Sequence, residues 1–366
     1  MENRCQQFKE ELLNSCVPFW LNNGVDKEYG GLINCLDRKG HVYSDDKSVW
    51  MQGRAGWMFS YLYNSIDKNP EYLVLAKSCI DFATKHCIDE TDGRMYFTVT
   101  RDGKPLRKRR YWFSETFYIM ANAEYYMATG DKTCLEQAKK YFRFVYDMYK
   151  DPTTDPFKIT PKGCTETRNT KTLANPMILL NVASIMRDAD GDNFTYYQEI
   201  ITGLIADIQC FYKPEYHAMF ENIKVDDNGV ILNSSPCRVI NPGHDIECAW
   251  FLLEEGIKRE DQEIVQFAER VFNDAFHFGW DEEYGGITYF KDILGLPVEA
   301  YEHDMKLWWP HNETIIASLM FYKYTGKTEY KEIFDKVCDY AFSHFSDKDR
   351  SEERRVGKEC RSRWSP

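Results

Sequence analysis

The sequence predicts an all-α fold of the (α/α)6 toroid type, in which inner helices alternate with outer ones and short β-hairpins join the pairs. Three observations carry that expectation. Apolar residues recur at helical spacing through most of the 366 residues. The breaks between them are short Gly/Asp/Pro-rich stretches rather than long linkers, so residues 1–349 read as a single domain. A hairpin-forming element also repeats: Asp26-Lys27-Glu28-Tyr29-Gly30-Gly31 is followed by LINCLDRKG, and Asp281-Glu282-Glu283-Tyr284-Gly285-Gly286 by ITYFKDILG. Looser copies are DETDGRMYFTVTRDG after Ile88 and EYHAMFENIKVDDNG after Pro214, each a turn, a short β-like run and a second Gly turn.

Taken in order, the helical spacing predicts helices over 4–22, 48–66, 70–86, 111–128, 131–150, 171–188, 191–209, 243–258, 261–277, 308–326 and 328–346. Six pairs require a twelfth, and after Asp349 the repeat calls for another Tyr-Gly hairpin where the sequence has Arg350-Ser351-Glu352-Glu353.

Composition narrows the function classes. With 43% hydrophobic and 15% aromatic residues the chain can bury a sizeable core. The formal net charge is −12, and about −15 once the basic residues 350–366 are set aside, which disfavours nucleic acid, membrane surfaces and polyanions as partners. The start MENRCQQFKEELL has no apolar signal region, and no run approaches the roughly 20 apolar residues of a membrane span. Twelve cysteines lie scattered in apolar helical patterns without a CxxC pair, so reduced, mostly buried thiols in a cytoplasmic protein are expected.

Four constellations could carry chemistry. In Asn241-Pro242-Gly243-His244-Asp245-Ile246-Glu247, Asn and Pro mark a helix start, His244 falls in the first turn, and Glu247 at i+3 shares its face. The helix N-terminus disfavours an imidazolium and the carboxylate favours it, so His244 is either a base tuned near neutral pH or a core histidine capping its own helix. Lys306-Leu307-Trp308-Trp309-Pro310-His311-Asn312-Glu313 again opens a helix with Pro; paired tryptophans beside polar groups suit a sugar or aromatic packing between helices. In Trp50-Met51-Gln52-Gly53-Arg54-Ala55-Gly56-Trp57, Arg54 is spaced to lie on the apolar face, where a guanidinium needs a carboxylate or a ligand oxygen. Glu115 in Phe113-Ser114-Glu115 and Asn175 in LANPMILLN are pocket candidates, or caps and core hydrogen bonds. No HExxH, GxxxxGK[ST], GxGxxG or zinc spacing occurs, so no metal is expected; His41, His86, His277 and His344 need no role.

With these residues in hand, the chain resembles the N-acylglucosamine 2-epimerase family over essentially all of Met1–Asp349. The resemblance rests on VWMQGRAGWM, FSETFYIMANAEYY, ANPMILLN, NPGHDIECAWFLLE, FHFGWDEEYGGITYF and KLWWPHNE. Its ANPMILLN and NPGH wording is more similar to the N-acetylglucosamine 2-epimerases than to the cellobiose epimerases or aldose–ketose isomerases. It implies an (α/α)6 barrel and an isomerase that moves the C2 proton of an open-chain sugar through an enediol-like intermediate. N-acetylglucosamine and N-acetylmannosamine would thereby interconvert. By the same resemblance His244 matches one of two catalytic histidines and Glu247 its neighbour. Arg54 matches the arginine near O1, Glu313 a pocket glutamate, and Trp308 and Trp309 the substrate-stacking motif, with His311 in the same motif. The second catalytic histidine of the family lies in a final helix whose Phe-His-(Ile/Val)-Pro-Arg-like motif is not found here. ATP as an activator rather than a reactant and a homodimer are further implications of the resemblance.

Competing classes are a related aldose–ketose isomerase or cellobiose 2-epimerase, an (α/α)6 glycoside hydrolase using Glu247 and Glu313, and a non-catalytic sugar-binding or interaction protein. The segment Arg350–Pro366 back-translates, with one codon choice, to a common short-read sequencing adapter. It is expected to be a non-native tail, which would leave the chain truncated, without its last hairpin, twelfth helix and second histidine, and impaired in activity.

Overall fold

The computed structural model describes residues 2–109, 111–157 and 165–345, so the expectation for 350–366 lies outside the described residues. Thirteen α-helices are found among them: α1 Glu2–Glu11, α2 Val17–Asn23, α3 Val49–Ser65, α4 Pro70–His86, α5 Phe113–Thr129, α6 Lys132–Lys150, α7 Ala174–Ala189, α8 Phe194–Gln209, α9 Ser235–Arg238, α10 Pro242–Lys258, α11 Gln262–Gly279, α12 Trp308–Thr325 and α13 Thr328–His344. Ten of the eleven expected helices appear as single helices. The first is broken, because a π turn at Leu12–Cys16 separates α1 from α2 and Val17 N–H donates back to Leu12 O. Pro18 has no N–H for the α-helical bond, and the backbone widens by a residue ahead of it. The helix expected from residue 171 begins at Ala174, since Thr170–Thr172 pairs as a strand with Asn222–Lys224.

The chain forms two compact units, Met1–Lys162 with Asn181–Ile201, and Gly163–Leu180 with Thr202–Pro366. In the first unit α3 packs on α4 and α5, and α5 on α6. α5 is buried continuously from Ser114 to Glu124, whereas α6 buries one stripe, Cys134, Ala138, Tyr141, Phe142, Val145 and Met148. A helix apolar all round is covered on every side; a striped one keeps a face in water. In the second unit α10 packs on α11 and α12, and α12 on α13, with α11 the striped partner. Ends are fixed locally: Asn69, Asp131 and Asp261 accept first-turn amides of α4, α6 and α11.

The repeated hairpins form as expected, and their turns share one bonding pattern. Val25 pairs with Leu32, Ile88 with Met95, Trp280 with Ile287, and Tyr212–Lys213 with Ala218–Met219. Asp26, Asp89 and Asp281 open three of these turns, each donating its N–H to the carbonyl of Gly31, Arg94 and Gly286 respectively. A lysine clamps each of these aspartates: Lys47 at 2.9 Å from Asp26, Lys108 at 2.6 Å from Asp89 and Lys306 at 2.5 Å from Asp281. The Gly-Gly pairs are required here, with φ of 81° and 73° at Gly30 and Gly31 and of 72° and 83° at Gly285 and Gly286.

A second pattern ties three of the hairpins to the helix that follows. Gln52 Oε1 accepts Leu32 N–H at 2.8 Å, Glu115 Oε1 accepts Met95 N–H at 2.8 Å, and His311 Nε2 accepts Ile287 N–H at 2.9 Å. Three different side chains, each near the start of its helix, thus latch the residue that leaves the hairpin.

Candidate active site

α10 starts at Pro242, with Asn241 as its cap, accepting His244 N–H on Oδ1 at 3.2 Å. This sets His244 in the first turn and turns its ring toward the strand that leaves the Tyr212–Met219 hairpin. There Glu221 Oε1 lies 2.5 Å from His244 Nδ1, which leaves Nε2 free of that bond. The histidine side chain is 28% exposed and Glu221 12%. Burial alone would push the imidazole down, but Glu221, bonded to it, outweighs burial with help from Glu247 and Glu313, and the group rises to about 9. The carboxylates thus favour the charged form of His244 over the neutral one that burial alone would favour.

The aromatic wall comes from α12. Trp309 lies 5.4 Å from the His244 ring at a tilt of 42°, and Tyr289 stands edge-on to Trp309 at 5.9 Å. Gly243 makes this approach feasible, because a Cβ there would sit 2.5 Å from Trp309 Cη2. Glu313, one turn on from Trp309, accepts Trp250 Nε1–H at 2.8 Å. Trp308 and Glu247 are half-buried beside them in sequence. His244, Glu247, Glu313 and Trp309 are therefore brought together in one unit. Glu221, Trp250 and Tyr289 belong to the same group and were missed by sequence reasoning. Glu221 sits 23 residues before His244 in a loose hairpin copy, where the one signal is its place just past the hairpin's exit.

Other candidates fall elsewhere. His311 is fully buried, donates Nδ1–H to Leu307 O at 2.6 Å, accepts Ile287 N–H on Nε2 and stacks on Tyr340, so both ring nitrogens are taken up by the backbone. Its pKa falls to about 4, chiefly through burial. Glu115 is fully buried too and pairs with Arg94 at 2.6 Å, while Arg94 also holds Asp155 at 2.7 Å. Arg54 is exposed rather than on the buried face, its guanidinium 4.4 Å over the Phe117 ring. The buried stripe of α3 runs Val49, Gln52, Gly53, Ala55, Gly56, Phe59, and Arg54 falls outside it. Asn175 is half-buried in the first turn of α7. Arg54, Glu247 and Glu313 nonetheless share one register, each two residues beyond position 52, 245 or 311 near the start of its helix. No three His, Cys, Asp or Glu side chains gather as a metal site among the described residues.

The family model for N-acylglucosamine 2-epimerase (GlcNAc 2-epimerase) matches residues 31–354. The N-acylglucosamine 2-epimerase of Bos taurus is 35% identical over 352 residues, covering 93% of this chain and 80% of that protein. The Homo sapiens protein of the same name is 32% identical, covering 95% and 82%. Among solved structures, the cellobiose 2-epimerase of Spirochaeta thermophila DSM 6192 superposes with a TM-score of 0.80 at 22% identity, covering 96% of this chain and 87% of that one. The Bacillus thermoamylovorans B4167 cellobiose 2-epimerase gives 0.81 at 19% identity, covering 95% and 89%. These structural likenesses show the fold, the expected (α/α)6 class. From the family model and the mammalian relatives together, the chain belongs to the N-acylglucosamine 2-epimerase family.

Proposed function

We propose that this protein is a sugar epimerase that interconverts N-acetylglucosamine and N-acetylmannosamine at C2. The observation that supports this best is the His244–Glu221 pair, an imidazole oriented through Nδ1 with Trp309 beside its ring. In the open-chain sugar the C2–H bond breaks, its electron pair forms the C1=C2 bond, and the carbonyl electrons move to O1. Return of a proton to the opposite face of C2 gives the epimer. Held as an imidazolium, His244 enters one direction as the donor while a second acid–base group on the opposite face of C2 takes the proton released; in the other direction its neutral form takes the C2 proton through Nε2 and that second group returns one. Glu221 fixes the ring and stabilises the charge that appears on it. Trp309 offers a flat apolar face to the sugar's C–H groups, and Glu313, held by Trp250, an acceptor for its hydroxyls.

The test is incubation with N-acetylmannosamine in deuterated water. Deuterium at C2 of both epimers is expected. No incorporation, together with cleavage of a glycoside substrate, would sink the reading in favour of a hydrolase using Glu247 and Glu313. His244→Ala should abolish exchange while the far-ultraviolet circular dichroism stays unchanged.

A further inference from the structure

The four hairpins share a position whose side chain meets a helix start. The N–H that closes each of them runs from Ile33 to Gly24 O, from Tyr96 to Cys87 O, from Phe220 to Phe211 O and from Thr288 to Gly279 O. The residues that come next are therefore equivalent: Asn34, Phe97, Glu221 and Tyr289. Asn34 Oδ1 accepts Ser48 N–H at the cap of α3, Phe97 stands edge-on to Trp50 in the first turn of α3, and Glu221 holds His244 in the first turn of α10. Tyr289 meets Trp309, the second residue of α12, with the ring centroids 5.9 Å apart and the planes at 85°. It thus occupies in its own repeat the position that Glu221 occupies in the preceding one.

The backbone of Tyr289 is fixed on both sides. Tyr289 N–H donates to Met305 O at 3.0 Å and Phe290 N–H to His303 O at 2.9 Å, on the stretch that runs into Trp308 and Trp309. Its ring lies 3.9 Å from that of Phe290. The hydroxyl, in contrast, meets no hydrogen-bond partner among the described residues, and the residue is half-buried. Burial, then the charges of Glu302 and Glu221, hold the phenol above its usual range, so the hydroxyl keeps its proton and can donate.

The carboxylates that bear on His244 call for such a donor. Glu221, Glu247 and Glu313 accept hydrogen bonds from hydroxyls and from an amide N–H, but offer nothing to a carbonyl oxygen. Trp250 already gives its N–H to Glu313. In a 2-acetamido sugar the planar amide is bonded to C2 itself, so the group that recognises its carbonyl must stand beside the group that moves the C2 proton. Trp309 links the two places, with the His244 ring at 5.4 Å and the Tyr289 ring at 5.9 Å. We infer that Tyr289 is a specificity-determining residue, whose hydroxyl donates to the acetamido carbonyl oxygen and so selects 2-acetamido over 2-hydroxy sugars. The inference rests on the proposed C2 chemistry for the placing of the sugar, but its test needs no turnover.

The probes are N-acetylglucosaminitol and glucitol, open-chain alditols that differ only at C2 and, having no carbonyl at C1, cannot epimerise. In calorimetric titrations the wild-type chain should bind the acetamido alditol more tightly than glucitol. Tyr289→Phe keeps the ring against Trp309 and removes one oxygen atom; it should weaken N-acetylglucosaminitol about tenfold and leave glucitol within about twofold. Unchanged binding of N-acetylglucosaminitol in the variant would overturn the inference, as would an equal loss for both alditols, or a wild-type chain that binds the two alike or binds neither. Should Tyr289→Phe fail to fold, the wild-type chain still decides: the acetyl methyl of bound N-acetylglucosaminitol should show a nuclear Overhauser contact to the Tyr289 ring, and its absence refutes the bond. A selective loss in Tyr289→Phe without C2 deuteration by the wild-type chain would instead count against the epimerase reading alone.

Discussion

The proposed chemistry concentrates on one imidazole whose charge is favoured by carboxylates from three elements. His244 is raised from 6.5 to about 9 in the folded chain, so protonation stabilises the fold. The sign follows from linkage: that contribution is full below pH 6.5 and is lost as pH rises through about 9. Thermal stability should therefore fall between those pH values, and Glu221→Gln should flatten the slope and bring the His244 midpoint down, measurable by NMR titration and Tm against pH. Turnover in Glu221→Gln should drop on the order of 10²-fold, because the ring loses both its orientation and its charge partner. A wild-type pH profile in that variant would detach Glu221 from the mechanism. Gly243 makes a separate point about shape. Alanine there improves helix propensity by about 1 kcal/mol, yet its Cβ would lie 2.5 Å from Trp309, so the ring must move. Stability should change little while KM rises, and an unaltered KM would show that Trp309 does not stack on the sugar.

At the scale of elements, the hairpin latches account for the burial of two candidate site residues. Glu115 and His311 looked like pocket groups because each is polar among aromatics at a helix start, the same signature a ligand contact would leave. Only the partner amide, 20 or 24 residues earlier in the chain, distinguishes the two, and nothing in local spacing encodes it. Glu115→Ala should cost about 3–5 kcal/mol, since Arg94 keeps its burial and loses a charge partner. Gln52→Ala strands the Leu32 amide and should cost about 1–3 kcal/mol. Urea unfolding measures both; a loss of activity at unchanged stability would return Glu115 to the site. The helices themselves were legible because their period is intrinsic to the chain, so that 70–86 begins and ends where read, at a Pro start and a basic last turn. What escaped was non-local or backbone-specific: the π turn ahead of Pro18, the strand Thr170–Thr172 whose partner lies past residue 220, and Glu221, whose partner is a helix away.

Across the whole molecule, a repeated plan recurs at helix starts. Gln52, Glu115 and His311 near the starts of α3, α5 and α12 hold the hairpins, and Arg54 and Glu313 lie two residues beyond Gln52 and His311. Such a plan depends on cores that close each unit without cross-links, and the cysteines bear on that directly. Ten cysteines among the described residues are outside any disulfide, with Cys16, Cys79, Cys87, Cys134, Cys237, Cys248 and Cys338 buried and Cys5 exposed. Burial pushes the Cys79, Cys87 and Cys134 thiols up to about 12, far from the thiolate form that reacts. They act as small apolar side chains: Cys79 packs with Leu75, Ala76 and Phe59, and Cys338 with Phe334 and Val337. A thiol reagent at pH 8 should label Cys5 rapidly and these buried residues only on unfolding, and Tm should be the same with and without reductant. A Tm that falls by more than a few degrees on reduction would mean that a disulfide, worth about 2–4 kcal/mol, closes part of the fold and that hydrophobic packing alone does not.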